Sequence, residues 1–348
     1  MNRLLLLLLL SLCLVWLAAC APKPAPPISA PPEGAPPQAT AQPATGPIKL
    51  AVIPKGTTHE FWKSIHAGAV KAAKELGVEI VWKGPLKEDN RDEQIKIVED
   101  MVSAKMSGLV LAPLDDTALR APVAEAKAKG IPVVIIDSAL QSQDLVSFVA
   151  TDNKHGGQLA GEEMARLLGG KGKVIVLRYQ EGSASTADRE AGFLAAIAKA
   201  PGIQVVSSNQ YGGATTESAY AASENLLAPY QKGGKLEVDG IFCPNESTTF
   251  GMLRALQDGG FAGTVKFLGF DSSPKLVQAL QDRQLNALVL QDPMNMGYLG
   301  VKTMVRHLRG EKVEARISTG ETLVTPENMN EPKMQGLLAP DFKRWLGE

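Results

Sequence analysis

Residues 48–77 read IKLAVIPKGTTHEFWKSIHAGAVKAAKELG, and this stretch decides the fold. Leu50, Val52 and Ile53 form a short apolar run without polar alternation, the mark of a strand buried on both faces. Phe61, Ile65, Ala69, Ala72 and Leu76 then recur at helical spacing, and Gly77 ends the pattern where a left-handed residue costs least. Between the two lies the loop 54–60, in which Thr57 and Glu60 have capping-box spacing and predict a helix starting at about His59. A loop at the carboxyl end of a strand is where open α/β sheets bind ligands.

The same plan repeats down the chain. Strands are expected at Val78–Trp82, Leu109–Leu111, Ile131–Ile136, Leu145–Ala150, Lys173–Leu177, Ile203–Ser207, Val238–Phe242, Val265–Phe270 and Leu285–Leu290. Helices between them are expected at Arg91–Met106, Thr117–Lys129, His155–Leu168, Ala187–Lys199, Thr216–Leu227, Ser247–Gln257 and Met294–Arg309, with an irregular tail after Ile317. Unbroken apolar strands alternating with helices predict parallel, doubly wound sheets. Gly130 to Ser138 and Gly263 to Ser272 both end a strand in Asp-Ser, an internal echo consistent with two similar lobes. With 348 residues, 45% of them hydrophobic, the chain is long enough for about two domains.

The amino end is different. Arg3, the apolar run Leu4–Leu17 and the sequence Leu17-Ala18-Ala19-Cys20 resemble the signal and lipobox of bacterial lipoproteins, which implies a signal peptide over 1–19 and lipid on Cys20. Residues 21–47 hold 10 prolines in 27 positions and no apolar periodicity. Residues 20–47 therefore read as a lipidated cysteine followed by an extended spacer. Cys13 leaves with the signal, so Cys243 is the one cysteine of the folded body, placed in an apolar run as a small buried hydrophobe.

A formal net charge of -1 gives no nucleic-acid footprint. There is no G-x-S-x-G elbow, no G-x-x-x-x-G-K phosphate loop and no G-x-G-x-x-G after a strand. His59, His66, His155 and His307 lack metal-ligand spacing. Three common α/β chemistries thus lack their signatures, and neither catalysis, a cofactor nor a metal is expected.

Several segments, in this order, resemble the type 1 periplasmic binding proteins, specifically the ribose-binding type that feeds sugar ABC importers. They are Phe61-Trp62 to Gly77, Leu111-Ala112-Pro113 with Asp115, Gly130–Asp137, Ala150-Thr151-Asp152-Asn153 with Gly156-Gly157, Arg189–Phe193, Asn245, Gly269-Phe270-Asp271 and Gln291. The resemblance covers about residues 48–325. It implies an α/β fold of two Rossmann-like lobes joined by three crossing segments, with a ligand cleft between them. The first lobe would hold 48–150 plus 292–317 and the second 151–291 plus 318–348, with crossings near Thr151, Gln291 and Ser318. Phe61 and Trp62 would stack on a sugar face, with His59 beside them. Asp137 and Asp271 would accept hydroxyl hydrogens, Arg189 would donate from the second lobe, and Asn245 and Gln291 would do both.

Three places depart from the ribose-binding pattern, one of them the loop Tyr211-Gly212-Gly213-Ala214, which lacks the phenylalanine of that branch. His59-Glu60 stands where that branch has Asn-Pro, and Asp137-Ser138 where it has Asp-Arg. Trp82 and Gly84-Pro85 are similar to the branch that binds a furanosyl signal, although Trp82 also suits a packed strand. The reading is an exported, lipid-anchored monomer at the cell envelope that captures a monosaccharide and delivers it to the membrane permease of an ABC importer. The alternative is a sensor lipoprotein for a furanosyl or other polyhydroxylated ligand. A lactose-repressor-type regulator shares the core, but a signal and a spacer stand where its DNA-binding headpiece would be.

Overall fold

The computed structural model describes residues 46–347; the signal, Cys20 and nearly all of the spacer lie outside them. The first sheet takes β1 (Lys49–Ile53), β2 (Glu79–Trp82), β3 (Gly108–Leu111), β4 (Val133–Ile136) and β5 (Ser147–Ala150). Between them run α1 (Glu60–Leu76), α2 (Arg91–Ser103) and α3 (Arg120–Ala128). The chain then continues through α4 (Asn153–Leu167), β6 (Lys171–Arg178), α5 (Ala184–Ile197), β7 (Gly202–Tyr211) and α6 (Thr216–Leu227). A two-stranded hairpin, β8 (Gln231–Lys232) and β9 (Lys235–Leu236), leads to β10 (Gly240–Phe242), α7 (Glu246–Asp258), β11 (Lys266–Phe270), α8 (Pro274–Gln281) and β12 (Ala287–Gln291). The last elements are α9 (Pro293–Leu308), β13 (Arg316–Ser318), β14 (Glu321–Val324), α10 (Pro332–Leu338) and α11 (Lys343–Leu346).

Two six-stranded sheets result, ordered β13-β5-β4-β3-β1-β2 and β14-β12-β11-β10-β6-β7. All pairings in the first are parallel, and in the second only β12–β14 is antiparallel. Each sheet has an apolar cluster on both faces, as unbroken apolar strands require. The two-lobed α/β fold is therefore the one expected. The chain passes between the sheets after β5, after β12 and between β13 and β14. α11 lies against α1, where Lys71 and Lys74 reach over the Trp345 ring.

Local signals were overridden in places. The Thr57–Glu60 capping box does not form: the Thr57 hydroxyl donates to the Pro85 carbonyl, and α1 begins after His59, whose side chain makes no cap. α3 begins at Arg120 and not at Thr117, because the Asp115 carboxylate accepts from the Thr117 and Ala118 amides and fixes those residues in a turn. α8, with Ser273 as cap and Pro274 in the first position, escaped the periodicity reading, as did β14, α10 and α11 in the supposedly irregular tail.

One helix pair in each lobe packs backbone to backbone at glycine. α1 meets α9 at Gly68, where a Cβ would overlap the Met294 carbonyl oxygen, and α4 meets α5 at Gly157, where it would overlap that of Arg189. Gly157→Ala is expected to push α5 outward, cost about 2–3 kcal/mol of stability and misplace Arg189. A lowered melting temperature together with weakened ligand binding checks this.

Candidate functional site

The loops at the carboxyl ends of the strands face one another across the two sheets. From the first lobe come Lys55 and His59 after β1, Glu88 after β2, and Asp137-Ser138 after β4. From the second come Tyr179, Ser185, Thr186 and Arg189 after β6, Asn245 and Glu246 after β10, Asp271 after β11 and Gln291 ending β12. With Phe61 and Trp62 these residues, Ser138 excepted, surround a small space. A larger hollow beside it, between α1, α8 and residues 337–342, shares Phe61, Asp271 and Gln291 but is lined mainly by apolar side chains. The converging polar groups mark the smaller cavity as the candidate site.

Asp137 and Asp271 occupy equivalent places. Each follows a central strand, each has left-handed backbone (φ 63 and 67), and each donates its amide to the neighbouring strand, to Val149 and Val289. Left-handed backbone costs a non-glycine residue roughly 1–2 kcal/mol, least for Asp and Asn. That turn aims both buried carboxylates into the cavity.

A buried network surrounds them. Lys55 Nζ lies 2.8 Å from Asp137 Oδ2 and donates to Ser185 Oγ at 3.0 Å. Glu88, 5% exposed, pairs with His59 Nδ1 and accepts from Trp62 Nε1 (2.7 Å) and from the Tyr179 hydroxyl (2.7 Å). Burial opposes the charge on both partners, yet mutual attraction prevails: His59 is raised to about 9 and Glu88 lowered to about 2, the latter helped by Lys55 and Trp62. Burial raises Glu246 to about 7 against the pull of His59 and two backbone amides, and it raises Asp271 despite Arg189.

Arg189, 2% exposed, is held on three sides. Nε donates to Asn153 Oδ1 (2.8 Å), Nη1 donates to the Pro244 carbonyl (2.9 Å), and the guanidinium lies 4.0 Å from the centre of the Phe270 ring. Asp271 Oδ2 is 3.8 Å from Nη1. Nη2 is buried and has no hydrogen-bond partner among the described residues. A buried guanidinium nitrogen without an acceptor costs free energy unless something else supplies one.

All eight residues proposed from the sequence, His59, Phe61, Trp62, Asp137, Arg189, Asn245, Asp271 and Gln291, line this cavity. Not all are free to act alike. Asn245 spends its amide on α7, accepting from the Thr248 amide and donating to Ser247 Oγ. Gln291 accepts from Thr151 and donates to Asp271, tying one interlobe crossing to the site. Phe61 and Trp62 meet edge to face at 4.9 Å and also pack in the first lobe's core. Trp82 stacks on His66 at 4.4 Å, away from the cavity. Sequence reading missed Lys55, Glu88, Tyr179, Ser185, Thr186 and Glu246. Lys55, two residues past β1, and Glu246, which opens α7 beside Asn245, were findable by position; Glu88 sits in a loop that carries no signal.

Known proteins bear on this arrangement. The profile described as "Periplasmic binding protein domain" matches residues 50–312. The chain belongs to that family. It is 30% identical over 278 residues to the ribose import binding protein of Escherichia coli, covering 80% of this chain and 90% of that one. A carbohydrate transporter solute-binding protein from Agrobacterium radiobacter, solved with D-arabinose, superposes with a TM-score of 0.79 at 34% identity, covering 85% of this chain and all of that one. An ABC transporter solute-binding protein from Agrobacterium vitis with bound D-fucose gives 0.79 at 35% identity, over 83% of this chain and 99% of that one. These are extracytoplasmic solute-binding proteins, not enzymes. No helix among the described residues is long and apolar enough to cross a membrane.

Proposed function

We propose that this periplasmic binding protein captures an uncharged monosaccharide between its lobes and delivers it to the membrane permease of an ABC importer. The observation that carries the reading is the unpartnered Arg189 Nη2 in a cavity that also presents Asp137 and Asp271. A guanidinium donor facing two carboxylates suits a ligand that both accepts and donates, as a hydroxyl does. Charge selects further. Lys55 faces Asp137, His59 faces Glu88 and Arg189 faces Asp271, so no cation is left over for an acidic sugar or a phosphate. Phe61 supplies an apolar edge for the C–H face of a ring. The sugar-bound relatives support the same class, and none of those compared favours the sensor alternative.

In this reading the lobes comprise 48–150 plus 292–317 and 151–291 plus 318–348, and ligand contacts from both favour closure. The monomer is exported by the signal over 1–19 and held at the envelope by lipid on Cys20, with 21–47 as spacer.

A thermal-shift screen of residues 46–348 against pentoses, hexoses, polyols, nucleosides and the furanosyl signal tests it. A ligand at a hundred times its dissociation constant adds about 2.7 kcal/mol of stability, visible as a rise of several degrees. One neutral sugar is expected to stand out. A response only to charged compounds or nucleosides would overturn the monosaccharide assignment, and a furanosyl response would restore the sensor reading.

A further inference from the structure

Helix α1 carries Phe61 and Trp62 into the cavity, and its first-turn amides need acceptors. The His59 carbonyl serves the Trp62 amide, but the Glu60 and Phe61 amides find no local acceptor: His59 makes no side-chain cap and Thr57 is bound to Pro85. The acceptor comes from the opposite lobe. The two carboxylate oxygens of Glu246 accept from the Glu60 amide at 3.3 Å and the Phe61 amide at 3.2 Å. Glu246 is itself fixed, since it opens α7, which Asn245 caps, and its own amide donates to Asp271 Oδ2 at 3.2 Å. α1 packs with the first sheet and α7 with the second, so this cap exists only while the lobes are together.

We infer that Glu246 is an interlobe latch: by capping α1 from the second lobe it favours the closed form itself and positions Phe61, whichever sugar is held. Although Glu246 lines the cavity, both of its carboxylate oxygens are taken by backbone amides. It therefore contributes the same factor to the affinity for every ligand, setting affinity and leaving selectivity to the other residues. Other cross-lobe bonds join the Tyr179 hydroxyl to Glu88, the Ser185 amide to Ser138, the Gln180 side chain to the Glu88 carbonyl and the Asp116 amide to the Gly182 carbonyl; the Glu246 bond holds the start of α1.

The test uses the unit 41–348, which is compact by itself. Spin labels are placed at Lys96→Cys on α2 and Glu162→Cys on α4, both exposed; Cys243 is buried and does not compete. Interlobe distances are measured by pulsed electron resonance without sugar. The wild type is expected to show a closed component. Glu246→Ala, which strands two amides, should lower the closed-to-open ratio about tenfold, and Glu246→Gln, which keeps an acceptor oxygen, should retain it. Titration with D-arabinose and D-fucose should show both affinities falling by that factor in Glu246→Ala, with their ratio unchanged. A wild type with no closed component, or an unaltered ratio of states in Glu246→Ala, overturns the latch. So does a changed ratio between the sugars, which would make Glu246 a sugar contact. The second arm rests on the monosaccharide reading: if neither sugar binds the wild type, that choice of ligands fails while the distances still decide the latch.

Discussion

Arg189→Ala is expected to bind sugar at least about 100-fold more weakly than the wild type, with no saturable heat in titration calorimetry. The side chain offers the cavity a charged donor, and hydrogen bonds to charged groups contribute about 1.5–3 kcal/mol each. Truncation also leaves Asp271 buried without its cation and removes the bonds to Asn153 and Pro244 that tie α5 to α4 and to the β10 loop. A loss of fold would imitate a loss of binding, so Arg189→Lys is the paired variant. Lysine keeps the charge near Asp271 but not the planar fork. It should hold the melting temperature within a few degrees while weakening binding at least about tenfold. Wild-type affinity in both variants would remove Arg189 from the site.

Arg189 also shows what the sequence could and could not disclose. The pattern Arg189-x-x-Gly-Phe193 located it, and strand–helix alternation placed it at a sheet's carboxyl edge. That Nη2 is left open depends on Asn153, Pro244 and Phe270, which converge from three separate elements. The same division holds across the molecule. Buried strands and amphipathic helices are local patterns, so those of the repeating series were legible apart from α8, and the Asp-Ser echo marked both left-handed aspartates. Elsewhere, contacts distant in sequence decided the outcome. Thr57 has ideal capping spacing, but Pro85, 28 residues on, takes its hydroxyl. Glu88 lies among Lys87, Asp89 and Asn90 and reads as a solvated turn, yet His59, Trp62 and Tyr179 bury it. Lys55 restores a cation beside Asp137 that the resemblance alone had found missing after the fourth strand.

That network makes the stability of the closed protein decline from about pH 5 to about pH 9. His59 is raised from 6.5 to about 9, so the folded protein holds its proton more tightly than the unfolded chain. Its contribution is complete below pH 6.5 and is lost as pH rises through about 9. Glu246 is raised from 4.5 to about 7, so its contribution is complete below pH 4.5 and is lost as pH rises through about 7. Glu88, lowered from 4.5 to about 2, acts oppositely: its contribution is present above pH 4.5 and is lost as pH falls through about 2. His59 and Glu88 are one pair and their attraction counts once. At 1.36 kcal/mol per pH unit the His59 range and the Glu246 range each amount to at most about 3 kcal/mol, since both residues are partly exposed. Melting curves of the sugar-saturated protein are expected to fall across the whole interval. His59→Gln should flatten the part between pH 6.5 and 9, and Glu246→Gln the part between 4.5 and 7. A wild-type melting temperature that rose with pH over this interval would mean that neither proton is held as the geometry requires. Because both groups face the cleft, the pH that loosens the fold is also the pH that favours open lobes, and sugar affinity should decline with it.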